Sequence, residues 1–108
     1  MTIKINESAH QLVIDFIGEI DHHSAKKVLL QLDLYLQKKT PAKTVFNFER
    51  VDFMDSSGIA IILRGYKLTR EYDGIFQIVN AQAQPFKVMQ AAGLSRIVNI
   101  KTAEPNRV

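Results

Sequence analysis

The sequence predicts a single small α/β domain built on a parallel or mixed sheet. Strand-like and helix-like hydrophobic periods alternate along the chain, and each strand–helix–strand passage needs a crossover that leaves its two strands parallel. The first two strand patterns are instead separated by only the polar stretch "ESAH", short enough for an antiparallel hairpin. The chain has 108 residues, near the commonest domain size, and folding a chain of that length buries about 60 to 70% of its unfolded surface. One core, and one domain over residues 1–108, is expected.

The elements follow in order. "TIKIN" opens as a strand, and from residue 11 "QLVIDFIGEI" sets Leu12, Ile14, Phe16 and Ile20 against Val13, Asp15 and Ile17, the alternation of a strand. "DHHSAKKVLLQLDLYLQKK" then places Ala25, Val28, Leu29, Leu32 and Leu36 at spacings of three and four, with Asp21 positioned to cap the start and Pro41 to stop the helix. "KTVFNFERV" is short, aromatic and β-branched, a strand covered on at least one face. "SSGIAIILRGYKLTREYDG" reads as a second helix ending at Gly74, a residue suited to the left-handed conformation past a helix end. "IFQIVN" is a strand. "QAQPFKVMQAAGL" is a third helix, with Pro85 in its first turn, Phe86 and Met89 on one face and Gly93 as terminator. "RIVNI" closes the sheet, and "KTAEPNRV" (101–108), polar and carrying Pro105, is expected to fray. No linker, low-complexity segment or internal repeat interrupts this order.

Composition narrows the function. Apolar residues make up 46% and charged residues 23% of the chain, ordinary globular usage. The absence of cysteine excludes a disulfide framework, a thiol nucleophile and thiolate metal ligands, and suits a reducing cytoplasm. "MTIKINESAH" lacks a charged region followed by an apolar run, and no segment approaches the roughly 20 apolar residues that span a bilayer, so neither secretion nor a membrane is expected. The net charge is +3, but the basic residues are scattered. Only Arg64, Lys67 and Arg70 fall at helical spacing, where a solvated face is the simpler reading; without a groove-entering motif or aromatic stacking platform, no nucleic-acid partner is expected.

The candidate chemistries thin out in the same way. Glu19, Asp21, His22 and His23 crowd together, but adjacent histidines on a helix diverge by about 100° and do not share an ion as a pair spaced by four does. No metal and no cofactor are expected. A GxSxG elbow and a glycine-rich nucleotide loop are absent. Asp55 has no acidic pair near the first strand and no obvious partner lysine, which weakens aspartyl phosphotransfer.

What stands out is "FMDSSGIAIIL". Capping by Ser56 or Ser57 is the ordinary use of such residues at a helix start, yet it accounts for one hydroxyl and leaves the second, Gly58, and the run Ile59 to Leu63 unexplained. Consecutive helical residues point about 100° apart, so among Ile59, Ile61, Ile62 and Leu63 some face the sheet and some do not. The outward ones are expected to form the docking patch. An outward apolar patch beside two serines is a surface for a partner to read.

Three stretches together resemble one family. "IGEIDHHSA" is similar to the strand-to-helix signature GELDxxxA, "VFNFERVDFMDSSG" to a hydrophobic strand leading into D-S-[ST]-G, and "QPFKVMQAAGLSRIVNI" to a closing helix and strand. These are marks of STAS domains, specifically the single-domain anti-sigma factor antagonists, and they cover most of the chain. The resemblance implies a STAS-like mixed sheet of about five strands with helices mainly on one face, and a bacterial partner switch controlled by phosphorylation. It implies that Ser56, directly after the motif aspartate, accepts the phosphate, with Ser57 the second choice, and that Asp21, Asp55, Ser56, Ser57, Gly58, Ile59 and Ile62 meet the partner. The implied partners are a serine kinase with a histidine-kinase-like ATP fold that doubles as the anti-sigma factor, and a PP2C-type serine phosphatase. The domain itself would catalyse nothing. The competing classes are a constitutive scaffold or adaptor in a biofilm, secretion, stress or lipid-transport complex, whose serines only cap, and a small enzyme with a pocket of convergent polar groups.

Overall fold

The computed structural model describes residues 1–104. Its elements are β1 (Thr2–Glu7), β2 (Gln11–Ile17), α1 (His22–Lys39), β3 (Lys43–Arg50), α2 (Ser57–Glu71), β4 (Ile75–Ala81), α3 (Ala83–Ala91) and β5 (Asn99–Thr102), with a 3-10 turn at Leu94–Arg96. The five strands form one sheet in chain order. β1 runs antiparallel to β2, with Ile3 opposite Phe16 and Ile5 opposite Ile14, whereas β2, β3, β4 and β5 are parallel neighbours. The short polar connection and the three crossovers thus produce the mixed sheet that the alternation of periods requires.

The alternation in the strands decides which face is covered. Leu12, Ile14 and Phe16 of β2, Phe46 and Phe48 of β3, and Phe76 and Ile78 of β4 join Val28, Leu32 and Leu36 of α1, Ile61 and Ile62 of α2, and Met89 of α3 in one buried cluster. All three helices therefore pack on the same face. Phe16, Phe46 and Phe76 pack edge to face across β2, β3 and β4, with ring centroids 4.9 Å and 4.7 Å apart, a geometry worth about 0.5–1.5 kcal/mol per pair beyond area burial. The opposite side of the sheet carries a polar ladder. Asn6 and Asn47 each donate to Asp15, and Asn80 donates to Asn47.

The ends of α2 and both ends of β5 differ from the sequence reading. α2 ends at Glu71, and the left-handed residue after it is Asp73 (φ 59°), not Gly74. Gly74 is needed for space, because a Cβ there would lie 2.7 Å from the Tyr72 ring and 2.9 Å from the Thr69 methyl. At the C-terminal end, Gly93 is left-handed (φ 73°) and feeds the 3-10 turn, so Arg96 lies in that turn and the strand begins only at Asn99. The same strand takes in Lys101 and Thr102, which the sequence assigns to the tail; Thr102 pairs with Ala81, and Ala103 N–H donates to the Ala81 carbonyl. Residues 105–108 of that tail lie outside the described residues. Arg64, Lys67 and Arg70 line an exposed face of α2, where the Arg64 Nε is 3.5 Å from Asp33 Oδ1 and Arg70 donates to the Tyr66 hydroxyl.

Candidate functional site

The core sets the position of the D-S-S-G segment. β3 is anchored by Phe46 and Phe48, and beyond its end Val51 and Met54 remain fully buried while Asp52 and Phe53 face outward. The loop 51–56 is held from two sides. On one side Met54 forms an isolated parallel bridge with Ile20: Ile20 N–H donates to the Phe53 carbonyl and Asp55 N–H to the Ile20 carbonyl, both at 3.0 Å. This brings Asp21, the residue after Ile20, alongside the serine loop. On the other side the carboxamide of Gln84, in the first turn of α3, accepts from Met54 N–H at 2.8 Å and donates to the Met54 carbonyl at 3.0 Å.

The capping of α2 differs from the sequence expectation. Ser56 occupies the N-cap position with helical backbone (φ −63°, ψ −16°) and makes no side-chain cap bond. Asp55 does that work: its Oδ1 accepts from Ser57 N–H at 2.8 Å and its carbonyl from Gly58 N–H at 3.0 Å. A carboxylate is the stronger acceptor and complements the positive end of the helix, so it displaces either hydroxyl from the role. Ser56 is left exposed, whereas Ser57, the first helical residue, is half-buried.

Helix phase then separates the remaining candidates. The buried stripe of α2 is Gly58, Ile61, Ile62, Gly65, Leu68 and Thr69, the three-and-four spacing of a face turned to the sheet. Ile62 is therefore core, fully buried, and its expected place on the partner surface is corrected. Gly58, one turn earlier on that face, is also buried. A Cβ on Gly58 would run into the Met54 side chain, so the glycine lets α2 start directly over the pinned loop. Ile59 and Leu63 are half-buried and Ala60 is exposed. The surface around Ser56 accordingly consists of Asp55, Ser56, Ser57, Ile59 and Ala60, joined by Phe53, which is 41% exposed.

Asp21 caps α1. Its carboxylate accepts from Ser24 N–H at 2.9 Å while its own N–H donates to Ser24 Oγ at 3.2 Å, a reciprocal capping box. The Ser24 backbone N–H holds the Asp21 carboxyl below the ordinary aspartate range, with smaller help from the Ser24 hydroxyl and His23. His22 and His23 are exposed with ring centroids 6.2 Å apart, and among the described residues no group of three His, Asp or Glu side chains is placed to hold a metal. No described helix is long and apolar enough to cross a bilayer. A cavity of about 1060 Å³ lies against β4, β5 and the start of α3, lined by residues that include Asn80, Phe86 and Lys101 but none of Asp55, Ser56 or Ser57.

Two contributors were missed by the sequence reading. Phe53 is visible afterwards, since it sits between the buried Val51 and Met54. Gln84 had no local signal, being thirty residues from Met54.

A family model described as "STAS domain" matches residues 1–106. The anti-sigma F factor antagonist of Paenibacillus polymyxa is 30% identical over 108 residues, covering 98% of this chain and 92% of that protein. The anti-sigma-B factor antagonist of Listeria monocytogenes is 29% identical over 105 residues, covering 96% of this chain and 91% of that protein. Among solved structures, the anti-sigma factor antagonist SpoIIAA in its unphosphorylated form matches with a TM-score of 0.80 at 25% identity, covering 94% of this chain and 89% of that one. The Bacillus cell fate determinant SpoIIAA in the phosphorylated form matches with a TM-score of 0.72 at 25% identity, covering 94% and 92%.

Proposed function

This chain belongs to the STAS domain family, and from that premise we propose that it is an anti-sigma factor antagonist switched by phosphorylation at Ser56. The unphosphorylated form binds a cytoplasmic serine kinase with a histidine-kinase-like ATP fold and releases the factor that the kinase holds. Phosphate on Ser56 blocks that binding, and a PP2C-type phosphatase restores it. The domain acts by binding and catalyses nothing itself. The observation that carries this reading is the division of labour at the start of α2: Asp55 caps the helix, which leaves the Ser56 hydroxyl exposed and without a cap bond. The occurrence of a 25% identical relative of the same fold in both unphosphorylated and phosphorylated forms supports it.

The energetics favour a switch at this position. A phosphoserine carries about −1.5 to −2 charges. In the free domain it sits beside the positive end of α2, where a negative group gains about 0.3–1 kcal/mol. The N–H groups of Ser57, Gly58 and Ile59 are already engaged, so the gain comes from the helix dipole and the fold tolerates the charge. In a complex the same dianion loses its water and meets the Asp55 carboxylate; a penalty of about 4 kcal/mol weakens binding roughly a thousandfold.

Incubation with cell extract and ATP, followed by intact and fragment mass analysis, tests the proposal. One phosphate on Ser56, and none on a Ser56→Ala chain that still binds the kinase, is the expected result. A chain that captures its partner regardless of ATP and never gains phosphate would be a constitutive scaffold.

A further inference from the structure

Met54 stands two residues before Ser56 and has no exposed surface, and the bonds around it follow the logic of a strand. In an extended segment, alternate residues turn their N–H and C=O groups to opposite sides. The Phe53 carbonyl and Asp55 N–H turn toward Ile20, while Met54's own N–H and carbonyl turn the other way. A third strand would stand there in a continuing sheet. The Gln84 carboxamide stands there instead, offering one acceptor and one donor as a peptide group does and taking both of Met54's bonds, at 2.8 Å and 3.0 Å. The loop is thus the middle of a three-part ladder: Ile20 on one side, Met54 in the centre, and a single side chain from α3 on the other. Gly58 packs onto the Met54 side chain from above, so the place of Met54 also sets where α2 begins.

We infer that Gln84 is the positioning residue of the phosphoacceptor loop, its carboxamide closing the ladder that holds Met54 and so presenting Ser56, Phe53 and Ile59 to the partner as one prepared surface. Both bonds of the Gln84 carboxamide go to Met54. It acts through Met54, and it ties the loop to the first turn of α3, so a displacement of α3 loosens the acceptor site. The inference rests on the reading of Ser56 as phosphoacceptor, but the hold on the loop is measurable without it.

Gln84→Met keeps the length of the side chain and removes both bonds. Gln84→Glu keeps an acceptor for Met54 N–H and sets a carboxylate against the Met54 carbonyl. Gln82→Met is the control: it removes a bond from the residue that precedes α3, to the Glu49 carbonyl, without touching the loop. Amide hydrogen exchange followed by NMR reads the hold directly. Gln84→Met is expected to speed exchange at Met54 and Asp55 by about thirtyfold, the combined weight of two ordinary hydrogen bonds, with Phe46 in the core unchanged. Gln84→Glu is expected to give a smaller rise, and Gln82→Met none. In extract with ATP, the initial rate of phosphate gain at Ser56 is expected to fall at least tenfold in Gln84→Met and to stay at the wild-type value in Gln82→Met. Unchanged exchange at Met54 in Gln84→Met overturns the inference, whatever the phosphate assay reads. Faster exchange with an unchanged phosphorylation rate also overturns it, leaving Gln84 a local fastening only. A wild-type chain that takes no phosphate defeats the proposed function, and the exchange measurement then still decides whether Gln84 holds the loop.

Discussion

Removing the carboxylate of Asp55 should destabilise the domain, and removing the hydroxyl of Ser56 should not, although the motif alone makes either residue a plausible cap. Asp55 Oδ1 accepts from Ser57 N–H at 2.8 Å, and loss of such a cap costs about 0.5–2 kcal/mol, partly from the interaction of its charge with the helix dipole. Ser56 is exposed and makes no cap bond, so Ser56→Ala should stay within about 0.5 kcal/mol of the wild type. An unfolding entropy near 2.1 cal/mol/K per residue gives a chain of this length about 0.23 kcal/mol/K. Taking about 1–2 kcal/mol for Asp55→Ala, Tm should fall by about 4 to 9 °C, against about 2 °C or less for Ser56→Ala. Circular dichroism melts at neutral pH read both values, and repeating them in high salt should shrink the Asp55 effect as the dipole contribution is screened. A Ser56→Ala chain that loses as much as Asp55→Ala would refute the assignment of the cap, and with it the argument that the Ser56 hydroxyl is structurally free.

Ile62→Asp should abolish the cooperative melt, because it places an unpaired carboxylate in a fully buried site, whereas Ile59→Asp should keep a native melt and stop phosphate gain in extract; two variants with equal stability would contradict the helix phase. Gly58→Ala should destabilise by about 1–3 kcal/mol through overpacking against Met54, against a gain of up to about 1 kcal/mol in helix propensity, and a raised Tm would show that the loop yields instead. The Asp21 carboxyl should titrate by NMR below the ordinary aspartate value of about 3.9, since the Ser24 backbone N–H favours its charged form. Because the folded-state pKa is the lower one, this cap supports the fold above the ordinary value and is lost as pH falls through the folded pKa; a midpoint above the ordinary value would exclude a charged cap.

Local chemistry determined much of this protein before any tertiary contact. The strand alternation at Leu12, Ile14 and Phe16, the helical spacing of Val28, Leu32 and Leu36, Asp21 as a cap and Gly93 as a terminator are decisions made within a few residues, and each is realised. So is the sheet class, because a hairpin-length connection followed by crossovers leaves little choice of topology. The phase of α2 was not legible in this way. Five apolar residues in a row, Ile59 to Leu63, fit any orientation, and only packing against the sheet turned Ile61 and Ile62 inward and left Ile59 at the edge. The choice between Asp55 and Ser56 as cap was equally open to the motif and was settled by where the pinned loop set the Asp55 carboxylate. The bonds from Gln84 to Met54 join residues thirty positions apart. They exist because the fold brings the first turn of α3 against a short extended segment whose backbone groups had to be satisfied, and a requirement of that kind is written in three dimensions, not along the chain.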